Sequence, residues 1–284
     1  MKALKIGVVV GLVLLLGPLG WIYGHSEYKL RQVAPPAPFK LTLSPSAAVL
    51  QQGQHITRTR GCFGCHGQQL QGRDFSEQWD WVKRAVAPNL AAYAKQHDPA
   101  TLERAIRHGI GADGRALWSM PSYNYTRLTD QDLSALILYL QSATVVEQAL
   151  PSPALGLNAR WEMTYHGLEN MHELVAQVPP LKLEDAENGD LRAGEYLAMT
   201  TCNECHGLDL QGENFPDGST PNLAAMIKAY DKAQFDRLMK QGVGLGERAD
   251  LGLMSMVAKD RFAYFTEDEL RQLYAYLQQL EVKL

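Results

Sequence analysis

The pentapeptide Cys62-Phe63-Gly64-Cys65-His66 recurs 140 residues later as Cys202-Asn203-Glu204-Cys205-His206. Two thiols three residues apart on one turn can each add to a vinyl group on one edge of a porphyrin, while the adjoining His offers its imidazole to the iron; C-x-x-C-H is the attachment signature of c-type haem. The chain has four Cys and all of them stand in these motifs, so neither a disulfide framework nor a spare thiol needs a place. The two other uses of paired cysteines fit less well. Zinc ribbons space their knuckles about 15 to 20 residues apart and need no His after each pair, and thioredoxin-like chemistry requires a βαβ pattern around the motif. The expected cofactors are two covalently bound haem c groups.

The repeat extends well beyond the motif. Leu70-Gln71-Gly72 and Phe75 follow His66-Gly67 as Leu210-Gln211-Gly212 and Phe215 follow His206-Gly207, still 140 apart. Pro88-Asn89-Leu90 and Pro221-Asn222-Leu223 then stand 133 apart, so the first copy carries a seven-residue insertion around Trp79 and Trp81. Helical stretches at Pro99 to His108 and Lys232 to Gln241 run into Gly109 and Gly242, the left-handed caps that end helices. Each copy closes with a capping-box pattern, Thr129-x-x-Asp132 and Thr266-x-x-Glu269. Behind each box lies one apolar stripe, Leu133, Leu136, Ile137 and Leu140 in the first and Leu270, Leu273, Tyr274 and Leu277 in the second. A helix over Ala47 to Arg60 leads into the first motif, with Gly53 and Ile56 facing it; Gly194 and Leu197 do the same for the second. No strand pattern is convincing.

The N-terminus reads differently. After Lys2 and Lys5, Ile6 to Tyr23 is free of charge for eighteen residues, enough for a spanning helix at 1.5 Å per residue. The lysines favour a cytoplasmic N-terminus, and Trp21 and Tyr23 suit an interfacial belt. A cleaved signal peptide is the competing reading, but no A-x-A-like site follows the apolar run. Pro18, costly in a soluble helix, is tolerated in a membrane span. The expected organisation is an anchor over 1–24, a Pro-rich spacer over 25–46, domains over 47–148 and 190–284, and a linker over 149–189 with one short helix near Gly167 to Val178. A length of 284 residues suits two modest cores, and a net charge of −4 with no Lys/Arg run argues against a nucleic-acid partner.

The order of first helix, C-x-x-C-H, Pro-Asn-Leu loop, middle helix, Met and a last helix containing Tyr-Leu resembles the class I cytochrome c fold, twice over. The whole chain is similar to membrane-anchored dihaem cytochromes c of bacteria. The resemblance implies an all-α fold of two tandem domains behind an N-terminal transmembrane helix. It implies helices crossing at Gly53 against Tyr139 and at Gly194 against Tyr276. His66 and His206 are then the proximal ligands, each ring N–H held by the carbonyl of Pro88 or Pro221. Met120, followed by Pro121, matches the family's distal Met-Pro element. The second copy has no Met-Pro, and Met254 is preferred over Met256 as the distal ligand, although spacing to the following cap favours Met256. His108 is expected to be a helix-end residue, His166 and His172 to sit on a solvated helix face. Tyr123, Tyr125, Arg127 and Arg261, flanking the Met segments, have the chemistry to bond haem propionates or to serve the surface.

Neutral thioether and imidazole ligands let iron change charge without changing ligands, and a His/Met pair raises the reduction potential. The expected function is electron transfer on the periplasmic face of the inner membrane. The redox partner is expected to be a dehydrogenase, a quinol-oxidising complex or a terminal oxidase. The competing function is a haem enzyme, a dihaem peroxidase or sulfur-compound dehydrogenase, which needs a displaceable ligand at the second iron.

Overall fold

A computed structural model describes residues 2–35, 38–183, 188–215 and 218–282, and within residues 2–15 only some of the side chains. The chain is mostly helical. Helix α1 (Lys2–Arg31) continues through Pro18. The expected anchor over Ile6 to Tyr23 falls partly on side chains outside that description, and among the described residues no helix is long and apolar enough to cross a membrane.

In the first domain α2 (Ala47–Thr59) starts where the Ser46 side chain accepts the Val49 N–H, and α3 (Cys62–His66) follows at once. Next come α4 (Leu90–Gln96) and α5 (Pro99–His108), capped by Asn89 and Asp98, and then α6 (Asp130–Ser142) behind Thr129. Leu133, Leu136, Ile137 and Leu140 of α6 are fully buried, each contributing about 1.5–3 kcal/mol over an exposed position. The crossing of α2 and α6 explains Gly53: a Cβ there would lie 2.1 Å from the Ala135 carbonyl oxygen and 2.6 Å from Tyr139 Cβ. Only hydrogen fits.

Between the domains lie α7 (Gly156–Tyr165) and α8 (Met171–Ala176). The second domain repeats the first with α9 (Gly189–Thr201), α10 (Asn203–His206), α11 (Leu223–Met226), α12 (Lys232–Gln241), α13 (Leu253–Asp260) and α14 (Glu267–Gln279). The same contact recurs where α9 crosses α14, a Cβ on Gly194 meeting the Gln272 carbonyl oxygen at 2.2 Å and Tyr276 Cβ at 2.6 Å.

The sequence expects no strands, and the structure has two very short antiparallel pairs. Strand β1 (Arg73–Asp74) pairs with β2 (Val86–Ala87), and β3 (Asn214–Phe215) with β4 (Gly218–Ser219). Two residues are too few for an alternating pattern to show.

The stretches expected to be extended spacer and linker are in part built structure. Helix α1 runs to Arg31, and α7 packs on it in a third core formed by Leu30, Val82, Ala85, Ala116, Leu155, Ala159 and Met163. Trp79 and Trp81 of the insertion and Trp118 line that core, Trp81 meeting Trp118 edge to face at 6.0 Å. Polar contacts add to it, Arg115 pairing with Glu27 at 2.7 Å and Arg160 donating to the Ser26 hydroxyl at 2.8 Å. Its apolar residues come from four distant segments, so none of those segments looks like a core helix by itself.

The two domains meet through matching surfaces. His55, two residues past the crossing glycine of α2, bonds both carboxylate oxygens of Glu269, three residues past Thr266, at 2.8 and 3.0 Å. Tyr196, two residues past the crossing glycine of α9, donates to Asp132, three residues past Thr129. Likewise Arg58 lies over the Tyr264 ring at 4.9 Å while Arg127 donates to the Met199 carbonyl at 3.3 Å. Position i meets j and its counterpart j meets i, the signature of an isologous interface, here formed within one chain. It costs the first domain its full capping box. Thr129 accepts the Asp132 N–H, but the Asp132 carboxylate, one methylene shorter than the Glu the motif prefers, is taken by Gln52 at 2.5 Å and by Tyr196. Thr266 and Glu269 form the box in both directions.

Candidate haem-binding sites

Each attachment turn is bracketed by backbone that fixes its direction. Gly61 (φ +84°) opens α3 in the left-handed region, and Gly67 and Gly207 (φ +81° and +82°) close the two turns. Next comes a feature with no sequence signal: Leu70 and Leu210 are buried leucines at φ +59° and +62°, a conformation costly for a side chain of that size. Their carbonyls accept the N–H of Leu90 and Leu223 at 2.8 and 2.9 Å, and the His66 and His206 carbonyls accept the N–H of Gly72 and Gly212. The strain thus ties each C-x-x-C-H turn to its Pro-Asn-Leu loop.

That tie places the histidines. His66 Nδ1 donates to the Pro88 carbonyl at 2.8 Å, and His206 Nδ1 to Pro221 at 2.9 Å. Both rings are buried, which lowers their pKa against the opposing effect of those carbonyls and keeps them neutral. With Nδ1 carrying the proton, Nε2 keeps its lone pair, the arrangement a metal-ligating imidazole requires.

The cysteines have the opposite of a reactive environment. As free thiols, burial foremost pushes Cys62 up to about 12, with Cys65 adding to it, and pushes Cys202 up to about 11. Burial and then the Glu204 carboxylate raise Cys65 and take Cys205 to about 11. Redox C-x-x-C pairs depend on lowered values. A neutral, desolvated sulfur suits a thioether. Among the described residues no three His, Cys, Asp or Glu side chains are arranged to hold an ion.

On the distal side, Met120 is half-buried against the first core, its segment pinned by Ser122 Oγ donating to the Ala105 carbonyl at 2.7 Å. In the second copy the Met segment is the helix α13, held by Ser255 Oγ on the Gly242 carbonyl at 2.6 Å. Two residues apart on a helix are about 200° apart around its axis. Met254 accordingly packs against the second core while Met256 is 55% exposed.

The residues considered for propionates are engaged between the domains or beside the motifs. Tyr125 donates to the Arg60 carbonyl at 3.0 Å, Tyr123 to the Glu204 carbonyl at 3.5 Å, and Arg127 to the Pro179 carbonyl at 2.8 Å. Arg261 forms a 2.7 Å ion pair with Glu204. His172 departs from the solvated face expected of it. Its Nδ1 donates to the His108 carbonyl at 2.9 Å and its Nε2 accepts the Ala34 N–H at 3.0 Å, locking the pre-domain segment to the end of α5. His166 is exposed and pairs with Glu162.

Several buried polar atoms lack protein partners: both amide atoms of Asn124 and of Asn203, and Arg60 Nε. Asn203 lies between the cysteines of the second motif and Asn124 four residues past Met120. With the neutral thiols and the free Nε2 of each His, the residues present fit two covalently held haems.

Comparison with known proteins agrees. Residues 48–140 match the family described as cytochrome c oxidase, cbb3-type, subunit III, and residues 191–281 match cytochrome c. The fructose dehydrogenase cytochrome subunit of Gluconobacter japonicus is 23% identical over 82% of this chain and 53% of its own length. The cytochrome c subunit of the quinone alcohol dehydrogenase of Gluconacetobacter polyoxogenes is 24% identical over 84% and 57%. One of the subunits of nicotinate dehydrogenase from Pseudomonas putida is 24% identical over 93% of this chain and 24% of its own length. The chain thus spans about half the length of the first two relatives. It carries two cytochrome c domains and is a dihaem cytochrome c, related to the cytochrome subunits of dehydrogenases.

Proposed function

We propose that this chain is the electron-transfer subunit of a periplasmic-facing dehydrogenase held at the inner membrane by α1. The haems supply one-electron chemistry at iron. Cys62 and Cys65 hold the first and Cys202 and Cys205 the second. His66 and Met120 would ligate the iron of the first, and His206 and Met254 that of the second. Pro88 and Pro221 keep each imidazole in one tautomer, and the interdomain clasp fixes the separation of the two sites. One observation carries the reading: Arg261 bridges the two attachment turns, lying against Gly61 at the start of the first and pairing with Glu204 of the second at 2.7 Å, while Tyr123 from beside Met120 donates to the Glu204 carbonyl. That is the construction of a relay, since it fixes two redox sites at short range and commits the distal segments to packing. The relatives named as dehydrogenase cytochrome subunits support the partner class. The anchor is supported by the uncharged run from Ile6 to Tyr23 and by the helical backbone through it.

Purification from native membranes, followed by peptide identification, tests this. A co-purifying dehydrogenase catalytic subunit whose substrate reduces both haems is the expected result. A chain that purifies alone, carries one high-spin iron and consumes peroxide overturns it. Intact-mass measurement of the mature protein tests the anchor, which a start near Ser26 refutes.

A further inference from the structure

Helix α7 carries apolar side chains on two opposite faces, and the third core uses one of them. Ala159 and Met163 are buried in that core, together with Leu155 just ahead of the helix. Leu157, Trp161 and Tyr165 each stand two residues from one of these, about 200° around the axis. Four-residue spacing puts the three in one stripe, and each is between 44% and 48% exposed. The Trp161 and Tyr165 rings meet with centroids 4.5 Å apart. Charge lies at the edge of the stripe, where Glu162 pairs with His166 at 2.9 Å. One exposed apolar residue is ordinary, but an aromatic stripe on a helix whose other side is already packed calls for an occupant.

The position of α7 says which occupant fits. Arg160, next to Trp161, lies over the Tyr23 ring of α1 at 4.7 Å, donates to Ser26 at 2.8 Å and stands 3.6 Å from Glu27. The middle of α7 is therefore held beside residues 23–27, where the uncharged run ends and Glu27 is the first Asp, Glu, Lys or Arg after Lys5. Along this part of α1, Ile22, Ser26 and Leu30 form one buried stripe, while Trp21 and Tyr23 are exposed. Tryptophan and tyrosine at the end of an apolar run suit the headgroup level of a bilayer, where an apolar ring and a polar N–H or O–H are both accommodated. Trp161 and Tyr165 bring the same chemistry to the same level of α1. A protein partner would account for the stripe alone; a bilayer accounts for it together with the exposed rings of α1.

We propose that α7 lies in the headgroup region of the bilayer beside α1, with Leu157, Trp161 and Tyr165 turned into the boundary with the acyl chains. A short helix with one apolar face sits at that depth, about 5–10 Å into the interface. The third core carries the contact into the first cytochrome c domain, because Val82, Ala85 and Ala116 share it with Leu30 of α1 and with Ala159 and Met163 of α7. A single spanning helix leaves its cargo free to tilt, whereas this second contact fixes how the first domain faces the membrane. The proposal rests on the reading of α1 as an anchor and is independent of the dehydrogenase partner.

The test uses the full-length holoprotein in vesicles of phosphatidylethanolamine and phosphatidylglycerol, with a phospholipid carrying a photoactivatable diazirine near the headgroup end of one acyl chain. After illumination, peptide mapping should find lipid adducts on residues 157–165 as well as within 6–23. Hydroxyl-radical footprinting of the same vesicles should oxidise Trp161 and Tyr165 several-fold more slowly than Tyr264, which is 52% exposed in the second domain. Adducts within 6–23 but none on 157–165, with the stripe oxidised as fast as Tyr264, would leave the anchor standing and overturn the proposal. Adducts on neither stretch would fault the anchor reading, and the proposal would fall with it. A stripe oxidised freely in vesicles but shielded in the complex purified from native membranes would assign it to a protein partner and likewise overturn the proposal.

Discussion

The two domains agree on the side that attaches haem and differ on the side that faces it. Crossing glycine, C-x-x-C-H, left-handed leucine, proline carbonyl and closing cap recur in both with nearly the same geometry. The distal segments do not. The first is an irregular Met-Pro segment packed beside Trp118 and the tryptophan insertion, which in turn docks α1 and α7; the second is the helix α13, with no counterpart to that third core. Attachment tolerates little variation because two covalent bonds and one imidazole direction must coincide, whereas a thioether on a flexible side chain can approach from a loop or a helix. The first domain has become the platform that joins the N-terminal helix to the rest.

The comparison is most severely tested at its shared point. Gly53→Ala and Gly194→Ala each place a methyl group within 2.2 Å of a backbone carbonyl oxygen, and overpacking at a rigid contact costs about 3 kcal/mol. Each should unfold its own domain early in denaturant, followed by loss of the matching haem signal. An equal effect on both domains from one substitution would show that they unfold as a unit.

Next in size is the distal difference. Met120→Leu and Met254→Leu should each remove one thioether-to-iron charge-transfer band and lower one potential. As volume-conserving exchanges they cost less than about 1.5 kcal/mol of stability. Met256→Leu, on the exposed face of α13, should leave both potentials in place. A band lost with Met256 instead would mean that α13 is rotated when haem is bound.

A smaller contrast lies in the caps. Thr266→Ala removes a capping box satisfied in both directions, and about 1 kcal/mol is expected. Thr129→Ala leaves the Asp132 carboxylate its bonds to Gln52 and Tyr196, and a smaller loss should follow, read from denaturant midpoints.

The smallest effect is one of pH. Burial pushes Glu269 up, but the His55 hydrogen bond and the Thr266 N–H outweigh it and hold the carboxyl below its ordinary value of 4.5. A folded pKa below the unfolded one contributes stability that is present above the unfolded value and lost as pH falls through the folded one. Stability monitored on acidification below about 4.5 should therefore fall more steeply in the parent than in Glu269→Gln. Matching slopes would remove Glu269 from the interface energetics.

Much of the attachment chemistry was legible in the residue order because its requirements are local. The thiol spacing, the following His and the capping pattern of Thr266 are satisfied within a few residues, and their repetition 140 or 137 positions on made them legible twice. Leu70 and Leu210 escaped notice because a left-handed leucine leaves no compositional mark. The burial of His172 has no local signal because its partners, His108 and Ala34, are 64 and 138 residues away.

The sequence by itself determined that this chain holds two haems and which cysteines attach them, since covalent bonds act at fixed positions along the chain; the helix crossings at Gly53 and Gly194 were implied by the family resemblance and shown by the structure. Tertiary structure decided which face of α13 carries the inward Met, that the segments around Pro35 and Pro151 flank a third core, and that Arg261 lies between the two motifs, against Gly61 and paired with Glu204. Those outcomes depend on which distant surfaces meet. Burial and Coulomb energy are set by separation in space, and no pattern of neighbouring residues encodes that separation.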